Sequence, residues 1–177
     1  MAYDKPSEYI RYTGTIPDCG HSPALEKILL TPEYINKKMD EGSDPVELSI
    51  EKWEKIRQAY EFIATEGFKF FYYGIIYHYC RSDTCALCIM ALREYKKEFG
   101  VQKYHGDKCI KCPLSSIEPC YEINSVYSNI TYLLGYRPPE YQVPQPVLQV
   151  DDMDEKEIFS MLGQNIDLMI ERLKRLL

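Results

Sequence analysis

Two cysteine pairs with the same spacing, Cys85-Ala-Leu-Cys88 and Cys109-Ile-Lys-Cys112, stand twenty residues apart in the chain. No other feature limits the fold as much. Two cysteines three positions apart can both reach one ion, and two such clips complete the tetrahedron of thiolates that Zn²⁺ takes at about 2.3 Å per sulfur. Segments clipped in this way must meet, whatever the residues between them do. Cys85 and Cys88 fall at the predicted start of a helix, whose dipole favours thiolate over thiol, and nearby basic side chains favour it further.

Two more cysteines leave the ligand set open. Cys120 follows Cys112 by eight positions and Cys80 precedes Cys85 by five. The leading reading is a zinc site made from four of Cys85, Cys88, Cys109, Cys112 and Cys120. Cys109, Cys112 and Cys120 with one cysteine of the earlier pair would instead suit a [4Fe–4S] cluster. A third reading has no metal, only packed or free thiols. Cys19 and His21 form an incidental loop pair, and His78 and His105 are not read as ligands, since a lone histidine more often serves hydrogen bonding. The start of the chain has no apolar export segment. The most apolar run, 68–80, is too short to span a bilayer and contains Lys69 and His78. The expectation is therefore a cytoplasmic protein (host-cell cytoplasm if viral) without a membrane partner, its seven cysteines serving as ligands or free thiols rather than disulfides.

A net charge of −6 excludes a protein that coats nucleic acid indiscriminately. The charge is uneven. Residues 80–112 hold seven basic against four acidic side chains, a local +3 that leaves −9 for the remainder. Arg93, Lys96, Lys97, Lys103, Lys108 and Lys111 are thus candidate nucleic-acid contacts, with Tyr95, Tyr104 and Tyr121 interleaved to stack on bases. The plainer alternative is a solvated helix face beside a structural metal. Sixteen tyrosines suit half-buried core and rim positions.

Periodicity predicts a mainly α protein: a small helical domain with a cysteine-bound metal site. Residues 1–24 read as an irregular arm. Short helices are expected from Pro23 to Leu30 and from Thr31 to Met39, with a turn at 40–45. Ser49 is the expected cap of a stronger helix carrying Trp53, Ile56, Tyr60 and Ile63 to Gly67. Residues 68–79 fit either a buried strand or an apolar helix. Ser82, Asp83 and Thr84 offer caps for a helix from Cys85 to Phe99, a loop covers 101–118, and Pro119 opens a helix to Leu134. The expected domains are 1–135, a Pro-rich connector at 136–150, and an amphipathic helix at 151–177 whose stripe from Ile158 to Leu176 either folds back or forms a homodimer through 158–177.

The run Glu51-Lys-Trp53-Glu-Lys-Ile56, then Cys85-Ala-Leu-Cys88, Cys109-Ile-Lys-Cys112-Pro113 and Cys120, resembles a pattern of small uncharacterised cysteine-rich proteins of phages and archaeal viruses. It covers about 50–125 and departs by inserting the aromatic stretch 57–79. The resemblance implies a viral or mobile-element accessory protein and supplies no catalytic residue. The function expected first is a metal-stabilised module that binds protein or nucleic acid. A thiol–disulfide enzyme using Cys85 and Cys88 is a second reading, set back by the lack of a βαβ unit. An iron–sulfur nuclease is a third, set back by the lack of a supporting carboxylate set. An acidic inhibitor of a host nucleic-acid-binding machine is a fourth. No phosphate loop, zinc-protease helix or nucleophile elbow is present, so no enzyme is assigned.

Overall fold

Proline at the first turn and a polar cap before it open each of the first three helices. Ser22 accepts the Leu25 N–H at 3.4 Å for α1 (Pro23–Ile28), and Thr31 accepts the Tyr34 N–H at 3.2 Å for α2 (Pro32–Asp40). Asp44 accepts the N–H groups of Val46 and Glu47 at 2.8 and 3.0 Å for α3 (Pro45–Glu66). The structure is a computed structural model and describes residues 20–67, 70–101, 107–120, 122–136 and 153–177. Most of the expected arm and connector, together with Cys19, Lys103, Tyr104, His105 and Tyr121, lie outside the described residues.

The chain is mainly helical, and the described residues contain no strand. After α4 (Phe70–Cys80) and a 3₁₀ turn at Ser82–Thr84 come α5 (Ala86–Phe99), 3₁₀ turns at Asp107–Lys111 and Pro113–Ser116, α6 (Val126–Leu133) and α7 (Glu155–Lys174). The strand considered for 68–79 is therefore α-helix from Phe70. Its aromatic and β-branched side chains favour a strand locally, but a strand needs a partner for its backbone groups, and none is present among the described residues. As a helix the segment buries Tyr72, Tyr73, Ile75, Ile76, Tyr77 and Cys80.

Three expected helix starts are corrected. Asp44, not Ser49, caps α3, because a carboxylate two positions before Val46 reaches two free amides and Pro45 fits the first turn. Cys85 occupies the N-cap of α5, while Ser82, Asp83 and Thr84 form the preceding 3₁₀ turn. Ser125 caps α6, accepting the Ser128 N–H at 3.1 Å, so Pro119 and Cys120 lie in a turn before the helix. In place of the expected loop, the described residues 107–118 contain two 3₁₀ turns.

One apolar core runs through Trp53, Ile56 and Ile63 of α3, Ile75 and Ile76 of α4, Ile130, Leu133 and Leu134 in and after α6, and Leu162, Ile166, Met169 and Leu173 of α7. Each such side chain contributes about 1.5–3 kcal/mol on burial. α7 packs on both α3 and α6. Its stripe is thus occupied within the chain, and a homodimer through 158–177 would need that stripe free. A smaller cluster of Ile35, Leu48 and Ala86 fastens α2 and α5 to the other end of α3.

Candidate metal centre

The N-terminus of α5 would leave backbone amides unpaired, and α3 supplies what the cap residue does not. Cys85 makes no side-chain cap bond. The Ser49 hydroxyl of α3, buried inside its own helix, accepts the Leu87 N–H at 3.3 Å instead. At this end of the helix the Cys88 amide points towards the Cys85 sulfur. Upstream, Thr84 donates to the carbonyls of Tyr79 and Arg81 at 2.6 and 2.9 Å, which fixes the turn that delivers Cys85. One helical turn later on the α3 face, Lys52 donates to the carbonyls of Cys80 and Arg81, each at 3.1 Å.

Cys85 and Cys88 hydrogen-bond through their thiols. That bond, helped by the Cys88 amide and by the charges of Lys52 and Lys108, holds the Cys85 thiol down at about 5. Cys88, which keeps the shared proton, is pushed well up by the bond to Cys85 and by burial. The second pair sits at the ends of a tight turn, where the Cys112 N–H donates to the Cys109 carbonyl at 3.0 Å. Burial raises the Cys112 thiol to about 11, although the amides of Leu114 and Ser115 point at its sulfur and oppose the rise. Burial also raises Cys109 and Cys120. Negative charge on Cys85 acts on Cys109, Cys112 and Cys120, which places all three within its electrostatic reach. Cys85, Cys112 and Cys120 pack on the main core as half-buried side chains.

Of the five cysteines singled out in the sequence, Cys85 and Cys88 are in direct contact, and the other three feel the charge of Cys85. Among the described residues no group of three or more His, Cys, Asp or Glu side chains is arranged to hold a metal ion as it stands. Cys80, by contrast, is 1% exposed at the end of α4, and burial raises its thiol to about 12, the signature of an inert core cysteine. His21 pairs with Glu26 at 2.8 Å, in keeping with a surface histidine.

The basic candidates separate. Arg93 pairs with Asp40 at 2.8 Å, Lys111 pairs with Glu98, and Lys108 is buried. Lys96 and Lys97 stand exposed on α5. Tyr95 packs its ring against Phe99, centroids 4.9 Å apart, and its hydroxyl hydrogen-bonds Asp107.

Two features escaped the sequence reading. Lys52 shares a helical stripe with Leu48, Ser49, Ile56 and Ala59, so its register alone places it inward. Glu118 accepts the Val126 N–H at 2.7 Å and pairs with Arg172, tying the cysteine segment to α6 and α7. Its position offers no comparable periodic signal. No helix among the described residues is long and apolar enough to cross a membrane. No protein-family model, curated protein or solved structure matches the chain.

Proposed function

We propose that the chain is a metal-stabilised binding protein in which Cys85, Cys88, Cys109 and Cys112 hold one Zn²⁺, with Cys120 the alternative ligand. The observation that carries this reading is the poverty of the second cysteine segment. Among residues 107–120, Leu114 is the single buried apolar side chain, yet the backbone is wound into two tight turns. Ordering costs about 1–2 kcal/mol per residue, so a single leucine offsets only a residue or two. Small segments of this kind depend on a cross-link. Thiolates joined by a metal supply one, and the donor chemistry fits: soft sulfurs, a helix N-terminus, and backbone amides aimed at Cys85 and Cys112.

The braced segment presents a protein-binding face. Four of the six large apolar side chains exposed among the described residues, Phe99, Val101, Ile110 and Ile117, lie between 99 and 117. Of the candidate phosphate contacts in the described residues, only Lys96 and Lys97 are exposed without an ion-pair partner. Apolar side chains ringed by a few charges favour a protein surface over a phosphate backbone. In line with the sequence resemblance, the role proposed is that of a viral or mobile-element accessory protein.

A second reading has its own support. A Cys85 thiol held at about 5 with Cys88 as its donor resembles the attacking and resolving pair of a thiol–disulfide enzyme. One preparation separates these readings. The protein is purified anaerobically without a metal-binding tag, and zinc, iron and acid-labile sulfide are measured per chain. About one zinc supports the four-thiolate site. Stoichiometric iron with sulfide moves the site to Cys109, Cys112, Cys120 and one cysteine of the first pair. A folded protein with neither metal ends the metal reading, and catalysis of disulfide reduction would then establish the second. A salt-dependent shift of oligonucleotides that is lost in Lys96→Ala/Lys97→Ala would replace protein by nucleic acid as the partner.

A further inference from the structure

Ala86 and Leu87, the two residues between Cys85 and Cys88, are both buried, and in different places. Ala86 packs with Ile35 and Leu48 in the smaller cluster, whereas Leu87 belongs to the main core. The backbone around them is held by groups other than sulfur. Ser49 accepts the Leu87 N–H, Thr84 donates to the carbonyls of Tyr79 and Arg81, and Lys52 donates to those of Cys80 and Arg81. On this pinned backbone Cys85 takes the N-cap of α5 in extended conformation (φ −104°, ψ 111°), and Cys88 is the third residue of the helix. Those are the two positions that reach each other in a capping box, and here the two thiols are joined by a hydrogen bond. Both cysteines are free and only half-buried, so neither is sealed from a small reagent.

We infer that Cys85 and Cys88 form a reversible redox pair, two thiols in contact when reduced and a disulfide across the first turn of α5 when oxidised. Bringing the sulfurs from hydrogen-bond contact to the S–S length of about 2.05 Å is work for side-chain rotation. The fold has already ordered the backbone between them, and groups held in contact react faster than the same groups free in solution. The oxidant belongs to the disulfide class, such as oxidised glutathione. One cysteine sulfur attacks the S–S bond of the reagent, forming a mixed disulfide and expelling one thiol. The other cysteine then attacks the mixed disulfide, forming the Cys85–Cys88 bond and expelling the second thiol. The two protons that the cysteines give up go to the two released thiols, so the chain loses two electrons and the reagent gains them. The inference goes beyond both readings above: the chain is a stoichiometric reactant rather than a catalyst, and no ion takes part. An oxidised pair has no thiol to give an ion, so a disulfide state and a metal-bound state exclude one another.

The test uses the full chain, reduced, treated with a chelator and then mixed anaerobically with oxidised glutathione. Samples are quenched by alkylation and mapped by mass spectrometry. The native chain should become lighter by two hydrogens and retain no glutathione. The bond should map to Cys85–Cys88 within one chain, helicity should be unchanged, and dithiothreitol should restore both thiols. In Cys85→Ser and in Cys88→Ser the remaining cysteine of the pair should keep the glutathione, because no neighbour expels it. Should either variant fail to fold, the map of the native chain decides. Glutathione retained on the native chain, a bond mapped to Cys109, Cys112 or Cys120 or between chains, or helicity lost on oxidation each overturn the inference. Zinc measured before the chelator is added bears on the metal reading alone, so the two can fail separately.

Discussion

Seven cysteines in one chain do not share one chemistry, and environment sorts those that the structure describes. At Cys85 a donated thiol proton, a helix N-terminus and two lysine charges favour the thiolate, while at Cys80 complete burial favours the thiol. In metal-free protein at neutral pH, a short pulse of iodoacetamide followed by peptide mapping should label Cys85 first and Cys80 last. Labelling of Cys112 or Cys120 ahead of Cys85 would show that the Cys85–Cys88 bond does not hold in solution. Cys80 also makes a pH prediction. Its thiol rises from an ordinary value near 9 to about 12 on folding, so between those values the folded chain keeps a proton that the unfolded chain has released. Stability is then full below about pH 9 and falls as pH rises towards 12, by up to about 1.4 kcal/mol per pH unit for this one group. Tyr73 and Tyr132, also raised by burial, steepen the decline from about pH 10. Urea midpoints for native protein and Cys80→Ala between pH 8.5 and 10 should diverge, roughly in the window before tyrosine ionises, with the variant falling less steeply because the raised thiols of Cys88, Cys109, Cys112 and Cys120 remain. Parallel curves would exclude the buried thiol as the cause.

Helices were legible in the sequence where caps and periodicity agreed, and not where the deciding partner lay far along the chain. α1, α2 and α7 follow from Pro, Ser, Thr and Asp signals that act within four residues. α4 does not: its composition fits strand or helix, and only the neighbouring helices settle it. Pro119 carries the same first-turn signal as Pro23, but the helix starts at Val126 because Ser125 and Glu118 together satisfy its first amides. The cysteine pairs were legible because spacing alone marks them, and the structure joins Cys85 to Cys88 by a hydrogen bond between their thiols. Ser49 and Lys52 were not, because a polar residue in an apolar stripe acquires its meaning from α4 and α5, which no local pattern reveals. The contact of α3 with α7 adds a constraint of the same kind. A Cβ at Gly163 would stand 2.6 Å from the Tyr60 hydroxyl oxygen. The Tyr60 ring is held by Phe159, stacked at 4.2 Å, and by Arg57 at 5.0 Å, itself bonded to Asp167 at 2.8 Å. Helix propensity alone would make Gly163→Ala stabilising by about 1 kcal/mol. Crowding should reverse the sign and give a net loss of about 1–3 kcal/mol, visible as a lower urea midpoint. A gain in stability would mean that Tyr60 swings aside at little cost.

Across the whole molecule, stability is divided between two unlike regions. α3, α4, α6 and α7 share a continuous apolar core, whereas 107–120 contributes one buried leucine and the half-buried Cys112 and Cys120. The two regions meet through packing, since Leu114 belongs to the core and Cys85, Cys112 and Cys120 lie against it, and through polar links. Ser49 and Lys52 reach from α3 to the start of the first cysteine pair, and Glu118 reaches from beyond the second pair to the first amide of α6 and to Arg172 of α7. If zinc braces only the cysteine region, its removal should loosen that region and spread along these links, without melting the core. Amide exchange measured with and without a chelator should then quicken roughly 100-fold over 82–90 and 107–120, the effect of losing about 2.7 kcal/mol of local protection. The first turn of α6 should follow to a smaller degree, because the Glu118 carboxylate that accepts the Val126 N–H is anchored in the loosened segment. The middle of α3 and of α7, where Ile56, Ile63, Ile166 and Met169 are buried, should exchange as slowly as before. Uniform acceleration through α3 and α7 would mean that the core itself requires the metal and that the chain has no independent hydrophobic fold. Unchanged exchange over 107–120 would mean that the turns stand without a cross-link, and the argument from their single buried leucine would fail.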